Sequence, residues 1–156
     1  PEVVINVVNH SMLHQMSLSS SPYEKGVDEF VKAGFTPLDS EVVKPARVKE
    51  SPVQMECKVL EVKELGNNGG AGNLIICEVV RMHIAHEVLD ENGKVDQRKI
   101  DLVARMGGSF YCHAAGDALF EVAKPITTIG VGVDALPSKI RLSEELTGND
   151  LGRLGS

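Results

Sequence analysis

His10 and His14 stand four positions apart, the spacing at which two imidazoles on one helix face can share a metal ion. A zinc helix of that kind carries a glutamate beside its first histidine, and none is present here. His83 and His86 lie three apart in a strand-like run, so alternation sends them to opposite faces and they cannot share an ion. The sequence therefore predicts no metal site. Nucleophilic hydrolysis has no motif behind it either: no G-x-S-x-G elbow occurs, and the neighbours Cys112 and His113 point apart if their segment is a strand. The carboxylate pairs Asp28-Glu29 and Glu144-Glu145 read as solvated helix faces. Gly66-Asn67-Asn68-Gly69-Gly70-Ala71-Gly72 has the composition of a phosphate cradle. Such a cradle opens onto a helix N-terminus, whose N–H groups bind the anion. Here the β-branched run Asn73–Ala85 follows, so the glycines are expected to form a hairpin tip.

The elements that must position these residues are mainly strands. Val3–Val8 reads as a strand apolar on both faces. Asn9–Ser19 changes period, with Met12 and Met16 four apart and Asn9 or Ser11 available as a cap, which predicts a short helix. A second helix is predicted over Val27–Ala33, closed by Gly34. Residues 35–52 carry three prolines and read as irregular. From Val53, apolar Met55, Cys57 and Val59 alternate with Gln54, Glu56 and Lys58, the mark of a strand with one face buried; at Leu60 the phase slips, which predicts a bulge. Asn73–Ala85 is a second long strand, Asp90–Gly93 a turn and Asp96–Ile100 a helical turn. Val103–Ala114 is a third strand with Gly107-Gly108 within or beside it, Leu119–Val122 a candidate fourth, and Leu136–Leu146 a closing helix. Short strands between turn signals favour a β-barrel with a few short helices over a βαβ sheet.

A chain of 156 residues supports one well-buried core, so a single domain over residues 1–156 is expected. The net charge of −6, with basic residues scattered, argues against nucleic acid, whose affinity comes from clustered Lys and Arg. The apolar runs fall far short of a membrane span, which predicts a cytoplasmic protein without a membrane partner. Cys57, Cys77 and Cys112 each sit in apolar strand-like runs and read as reduced, buried thiols. The abrupt opening on Pro1-Glu2 and the ending on Leu154-Gly155-Ser156 lead us to expect a piece of a longer protein.

Several segments, in order, resemble the flavin-reductase-like family of FMN-binding split barrels. Ser51-Pro52-Val53-Gln54-Met55-Glu56-Cys57 is similar to that family's Ser-Pro-hydrophobic-Gln-hydrophobic-Glu-Cys strand. Asn73–Ile84 resembles its central strand, and Leu102-Val103-Ala104-Arg105-Met106-Gly107-Gly108-Ser109-Phe110-Tyr111 its hydrophobic-x-Arg-x-Gly-Gly-x-x-Tyr segment. Gly26–Pro37 resembles its insertion and Leu146–Leu151 its tail.

The resemblance implies a split barrel lacking its N-terminal strands, non-covalent FMN, a homodimer, and flavin-dependent oxidoreductase activity linked to NAD(P)H. It implies that Arg105 donates to a phosphate or flavin carbonyl, that Gly107 and Gly108 let backbone approach a flat ring, and that Tyr111 stacks on the ring or covers its edge. Asn73 and His83 are further candidates for cofactor contact. Asn73 stands where many flavin reductases carry His, and Cys77 where many carry Gly. Read without the family, Arg105 serves as well to pair with Asp101 or Asp117, the glycines to form a bulge, and Tyr111 to fill the core. No catalytic residue is assigned. The rival functions are an electron carrier on the same barrel and a dimeric scaffold that binds nothing.

Overall fold

The computed structural model describes residues 1–122 and 130–156, which divide into two compact units, Pro1–Leu119 and Phe120–Ser156. The first unit is mainly β. Strand β1 (Glu2–Asn6) runs antiparallel to β4 (Val53–Glu64), and β4 runs antiparallel to β5 (Asn73–Ile84), in the order β1-β4-β5. Two short ladders accompany this sheet: β2 (Pro37–Leu38) with β3 (Arg47–Val48), and β6 (Val103–Gly107) with β7 (Phe110–His113). Among the described residues the strands do not close into a complete barrel. None of the described helices is long and apolar enough to cross a membrane.

The β4–β5 pairing is the backbone of the unit. Its register shifts between Val59 and Glu61, leaving Leu60 as the extra residue where the apolar phase slips. The glycine segment forms the tip of this hairpin, with the Leu65 N–H donating to Gly72 O at 3.1 Å and Ala71 N–H to Asn68 O at 3.0 Å. Buried Val53, Val88 and Ile100 form the core, with Val7, Ala85, Val95 and Leu102 packed against them.

One expected alternation fails, for a visible reason. Gln54 and Glu56 were to face water, yet both are buried, and Glu56 is wholly so at 0% exposure. The irregular connection folds over them, and the Glu56 carboxylate repays its burial by accepting from the backbone N–H groups of Glu41 (2.8 Å), Val42 (2.6 Å) and Val43 (3.1 Å). Burial alone would push this carboxyl up, but those backbone donors and the His83 ring outweigh it and hold it at about 2. His83 Nε2 lies 2.7 Å from Glu56 Oε1, and Arg47 Nη1 donates to Gln54 Oε1 at 2.8 Å. Strand β4 thus has one apolar face and one polar face, and protein covers the start of both.

Helix α1 (Leu13–Ser19) follows a single 3-10 turn at His10–Met12 that buries Met12, and no side chain caps its N-terminus. Helix α2 (Glu29–Ala33) starts where the Asp28 side chain accepts from the Phe30 N–H and ends on left-handed Gly34 at φ +70°. Gln15 Nε2 donates to both Ala33 O and Gly34 O at 3.1 Å, which joins the two helices.

The single strand expected over Val103–Ala114 is a hairpin instead. Gly107 (φ +117°) and Gly108 (φ +54°) take left-handed conformations that L-residues rarely adopt, and the chain reverses at Gly108-Ser109 to pair β6 with β7. Cys112 is consequently exposed and Cys77 half-buried, so only Cys57 is the buried thiol that composition suggested for all three. Leu119–Val122 forms no strand.

In the second unit, the helix expected over Leu136–Leu146 is only α3 (Ser138–Arg141). The longer element is α4 (Gly148–Leu154), nucleated by a capping box in which Thr147 and Asp150 satisfy each other's backbone N–H groups. A Cβ at Gly155 would lie 2.5 Å from the Gly132 backbone, so glycine is what lets these segments touch.

Candidate functional site

The site is assembled where the segment entering α1 meets the base of the β6–β7 hairpin. Asn9 bridges Leu102, and the His10 N–H donates to Asp101 O at 2.9 Å. The Ala114 N–H returns to Leu102 O at 2.9 Å, closing the hairpin's foot. These backbone ties hold α1 alongside the hairpin and leave a cavity of about 270 Å³ between them. Its walls are Leu13, His14, Ser17 and Ser20 from the helix side, and Arg105, Gly108, Ser109 and Tyr111 from the hairpin.

Three residues expected at the cofactor, Arg105, Gly108 and Tyr111, therefore line one pocket. Arg105 pairs directly with Tyr111 across the ladder, so both project from the same face of the hairpin. Among its hydrogen bonds to the described residues is one from Nη2 to Gly108 O at 3.1 Å, which leaves most of its five donors available. Neither Asp101 nor Asp117 pairs with it; Asp101 is taken by His113, at 2.6 Å between Oδ1 and Nε2. Tyr111 is half-buried, a pocket wall rather than a core residue. Gly107 adjoins this wall, and a Cβ at Gly107 or Gly108 would meet nothing within 4 Å. Both glycines take positive φ, which L side chains rarely adopt.

Asn73 and His83 lie elsewhere. Asn73 opens β5 opposite Glu64, exposed beside the glycine tip, ten residues from His83 on the same strand. At roughly 3.3 Å per residue that separation is about 30 Å, so the two cannot contact one small group together. His83 is engaged by two carboxylates: Nε2 with Glu56 at 2.7 Å, and Nδ1 within 3.9 Å of Glu41. It also lines a separate cavity with Arg47, Gln54 and Ile84.

Sequence reasoning left out the serines. His14, Ser17 and Ser20 recur every three residues, which sets them along one side of α1 and the turn after it. That polar spacing is visible in the sequence but gains meaning only once the hairpin is known to lie opposite. Ser20 Oγ donates to Ser17 O at 2.8 Å, so the walls offer one guanidinium, one imidazole, one phenol and the hydroxyls of Ser17 and Ser109, a donor set suited to an anionic, hydroxylated ligand with a flat part.

Residues 1–101 match the family described as the flavin reductase like domain. Among solved structures, nitrilotriacetate monooxygenase component B from Bacillus cereus is 26% identical with a TM-score of 0.69, covering 78% of this chain and 59% of that one. A protein of Shewanella frigidimarina NCIMB 400 with a split barrel domain is 28% identical with a TM-score of 0.66, covering 79% and 60%. Flavoredoxin of Desulfovibrio vulgaris (Miyazaki F), at 21% identity, TM-score 0.65 and coverage of 80% and 62%, is alike in fold alone. The chain spans 49–60% of the length of the first curated relatives it matches. The family match extends over well over half of the chain, and the strands superpose on split barrels. The chain belongs to the flavin reductase-like domain family and carries its split-barrel fold.

Proposed function

We propose that the full protein is an FMN-dependent oxidoreductase that takes its electrons from NADH or NADPH and works as a homodimer. The observation that carries this reading is the pairing of Arg105 with Tyr111 on one wall of a pocket whose other wall is polar, in a chain of this family. The donor set fits part of FMN. At about 270 Å³ the cavity lies near the lower end of the roughly 300–1,000 Å³ typical of ligand sites, room for one end of the cofactor. Arg105 and the hydroxyls of Ser17 and Ser109 would hold the phosphate or ribityl end, and Tyr111 would cover the ring. Bound flavin supplies the redox chemistry, accepting a hydride and releasing electrons singly or in pairs. The chain supplies charge, hydrogen bonds and orientation.

The dimer is supported by the exposed apolar side chains of the β4–β5 hairpin. Leu60, Val62, Leu74, Ile75 and Ile76 are each at least 41% exposed, a concentration typical of surfaces covered by a partner. A second copy of the protein is the proposed partner.

The test is made on full-length protein. Absorbance should give FMN near one per chain, and anaerobic mixing with NADH or NADPH should bleach the flavin. Colourless protein that fails to take up FMN would overturn the reading. A flavin-loaded protein inert to both nucleotides would instead establish an electron carrier, the second reading.

A further inference from the structure

His10, Asp101 and His113 converge at the foot of the pocket. One donor atom from each lies within 4.8 Å of the others. They come from three separate segments: the turn entering α1, the residue before the Leu102 bridge, and the last residue of β7. The sequence paired His10 with His14, four residues on, but the fold directs His14 into the pocket and sets His10 against His113.

We propose that this triad is a binding site for a transition-metal ion of the Zn(II), Co(II) or Ni(II) class. Two imidazoles and one carboxylate are the ligand set these borderline ions prefer, whereas Mg(II) and Ca(II) select oxygen alone. Three protein ligands leave the remaining coordination positions to water.

The backbone around the triad is already fixed. The His10 N–H is bonded to the Asp101 carbonyl at 2.9 Å, and Leu102 is bonded on both sides, to Asn9 and to Ala114. Asp101 is the one described non-glycine residue at positive φ, at +56°. Asp is among the few residues that tolerate this conformation, and it turns the carboxylate onto His113 Nε2 at 2.6 Å.

The rings now lie face to face, with centroids 4.0 Å apart and planes inclined by 13°. A bound ion lies close to the plane of each imidazole it touches, and two stacked planes cannot both contain it. Binding therefore exchanges the stack, and the 2.6 Å hydrogen bond between Asp101 Oδ1 and His113 Nε2, for coordination: the exposed His10 and His113 rings turn about their side-chain torsions while the backbone stays in place. The ion would then join the two segments that carry the walls of the proposed flavin pocket. The site itself does not depend on flavin.

The experiment uses tag-free full-length protein, with whatever flavin it carries, titrated with ZnCl2, CoCl2 or NiCl2 by calorimetry. Imidazole nitrogen shifts are followed by NMR. We expect one ion per chain, with the ring signals of His10 and His113 moving and that of His86 unmoved. H10A and H113A should each weaken binding by more than about tenfold, since even outer-shell changes cost that much. H86A should bind as the parent does. His10 is exposed, so H10A tests the site without disturbing the core; a melting curve matching the parent confirms that its fold is intact. Absence of saturable binding at one ion per chain, or binding undiminished in H10A and H113A, would overturn the site and leave the flavin reading untouched.

Discussion

Arg105 faces Tyr111 directly across the β6–β7 ladder, immediately before the irregularity at Gly107. Counting along a single strand would place these residues on one face only if the glycines between them kept the strand regular. The chain reverses instead, and cross-strand pairing puts the guanidinium and the phenol side by side.

The pair gives a direct mutational test. R105A should weaken FMN binding about 10- to 100-fold, corresponding to the roughly 1.5–3 kcal/mol of a hydrogen bond to a charged group. The melting temperature of flavin-free R105A should stay near that of the parent, because Arg105 is exposed. Tyr111→Ala should change flavin fluorescence or potential through lost stacking. Fluorescence titration and apo-protein melting, measured side by side, check both; unchanged affinity in both variants would remove the pair from the site.

Glu56 contributes to acid stability. Its folded carboxyl, held at about 2 against an ordinary 4.5, contributes stability that is fully present above pH 4.5 and is lost as pH falls toward 2. E56Q keeps the shape but loses the charge that its backbone donors and His83 address. At neutral pH it should melt lower by on the order of 10 °C. Between pH 4.5 and 2 the gap to the parent should narrow. A pH series of melting curves decides; a constant gap would assign the stability to another group.

The glycine tip should be dispensable for cofactor. Removing Gly69-Gly70-Ala71 shortens a turn that lies beyond Glu64 and Asn73, at the far end of the hairpin from His83. FMN affinity should stay within about twofold of the parent, well below the effect of losing one hydrogen bond. A large loss of flavin on that deletion would mean that the loop reaches the cofactor.

Assembly can be read from one residue pair. Val62 and Ile75 are register partners, both more than half exposed. If a second copy covers this face, V62K/I75K should shift full-length protein from dimer toward monomer in light scattering. The parent should give a dimer mass at micromolar concentration. A monomeric parent, or a double variant that remains dimeric, would rule out this face as the interface.

The sequence by itself determined what depends on neighbours along the chain. The strand pattern after Val53, the bulge at Leu60, the hairpin tip between Glu64 and Asn73, and the Gly34 helix stop were all legible, because alternation, phase slip and left-handed glycine are local signals. The order of the matching segments likewise carried the family. Tertiary structure alone decided what depends on segments distant in the chain. Glu56 read as a solvent-facing residue of an alternating strand, and became a buried acid because backbone N–H groups from residues 41–43 arrive to satisfy it. His10 read with His14 four residues on, yet its ring meets His113 at the foot of a hairpin about a hundred residues later. The serines of α1 became a pocket wall only when Arg105 and Tyr111 were placed opposite them. Periodicity states which face a residue occupies; only the fold supplies what covers that face.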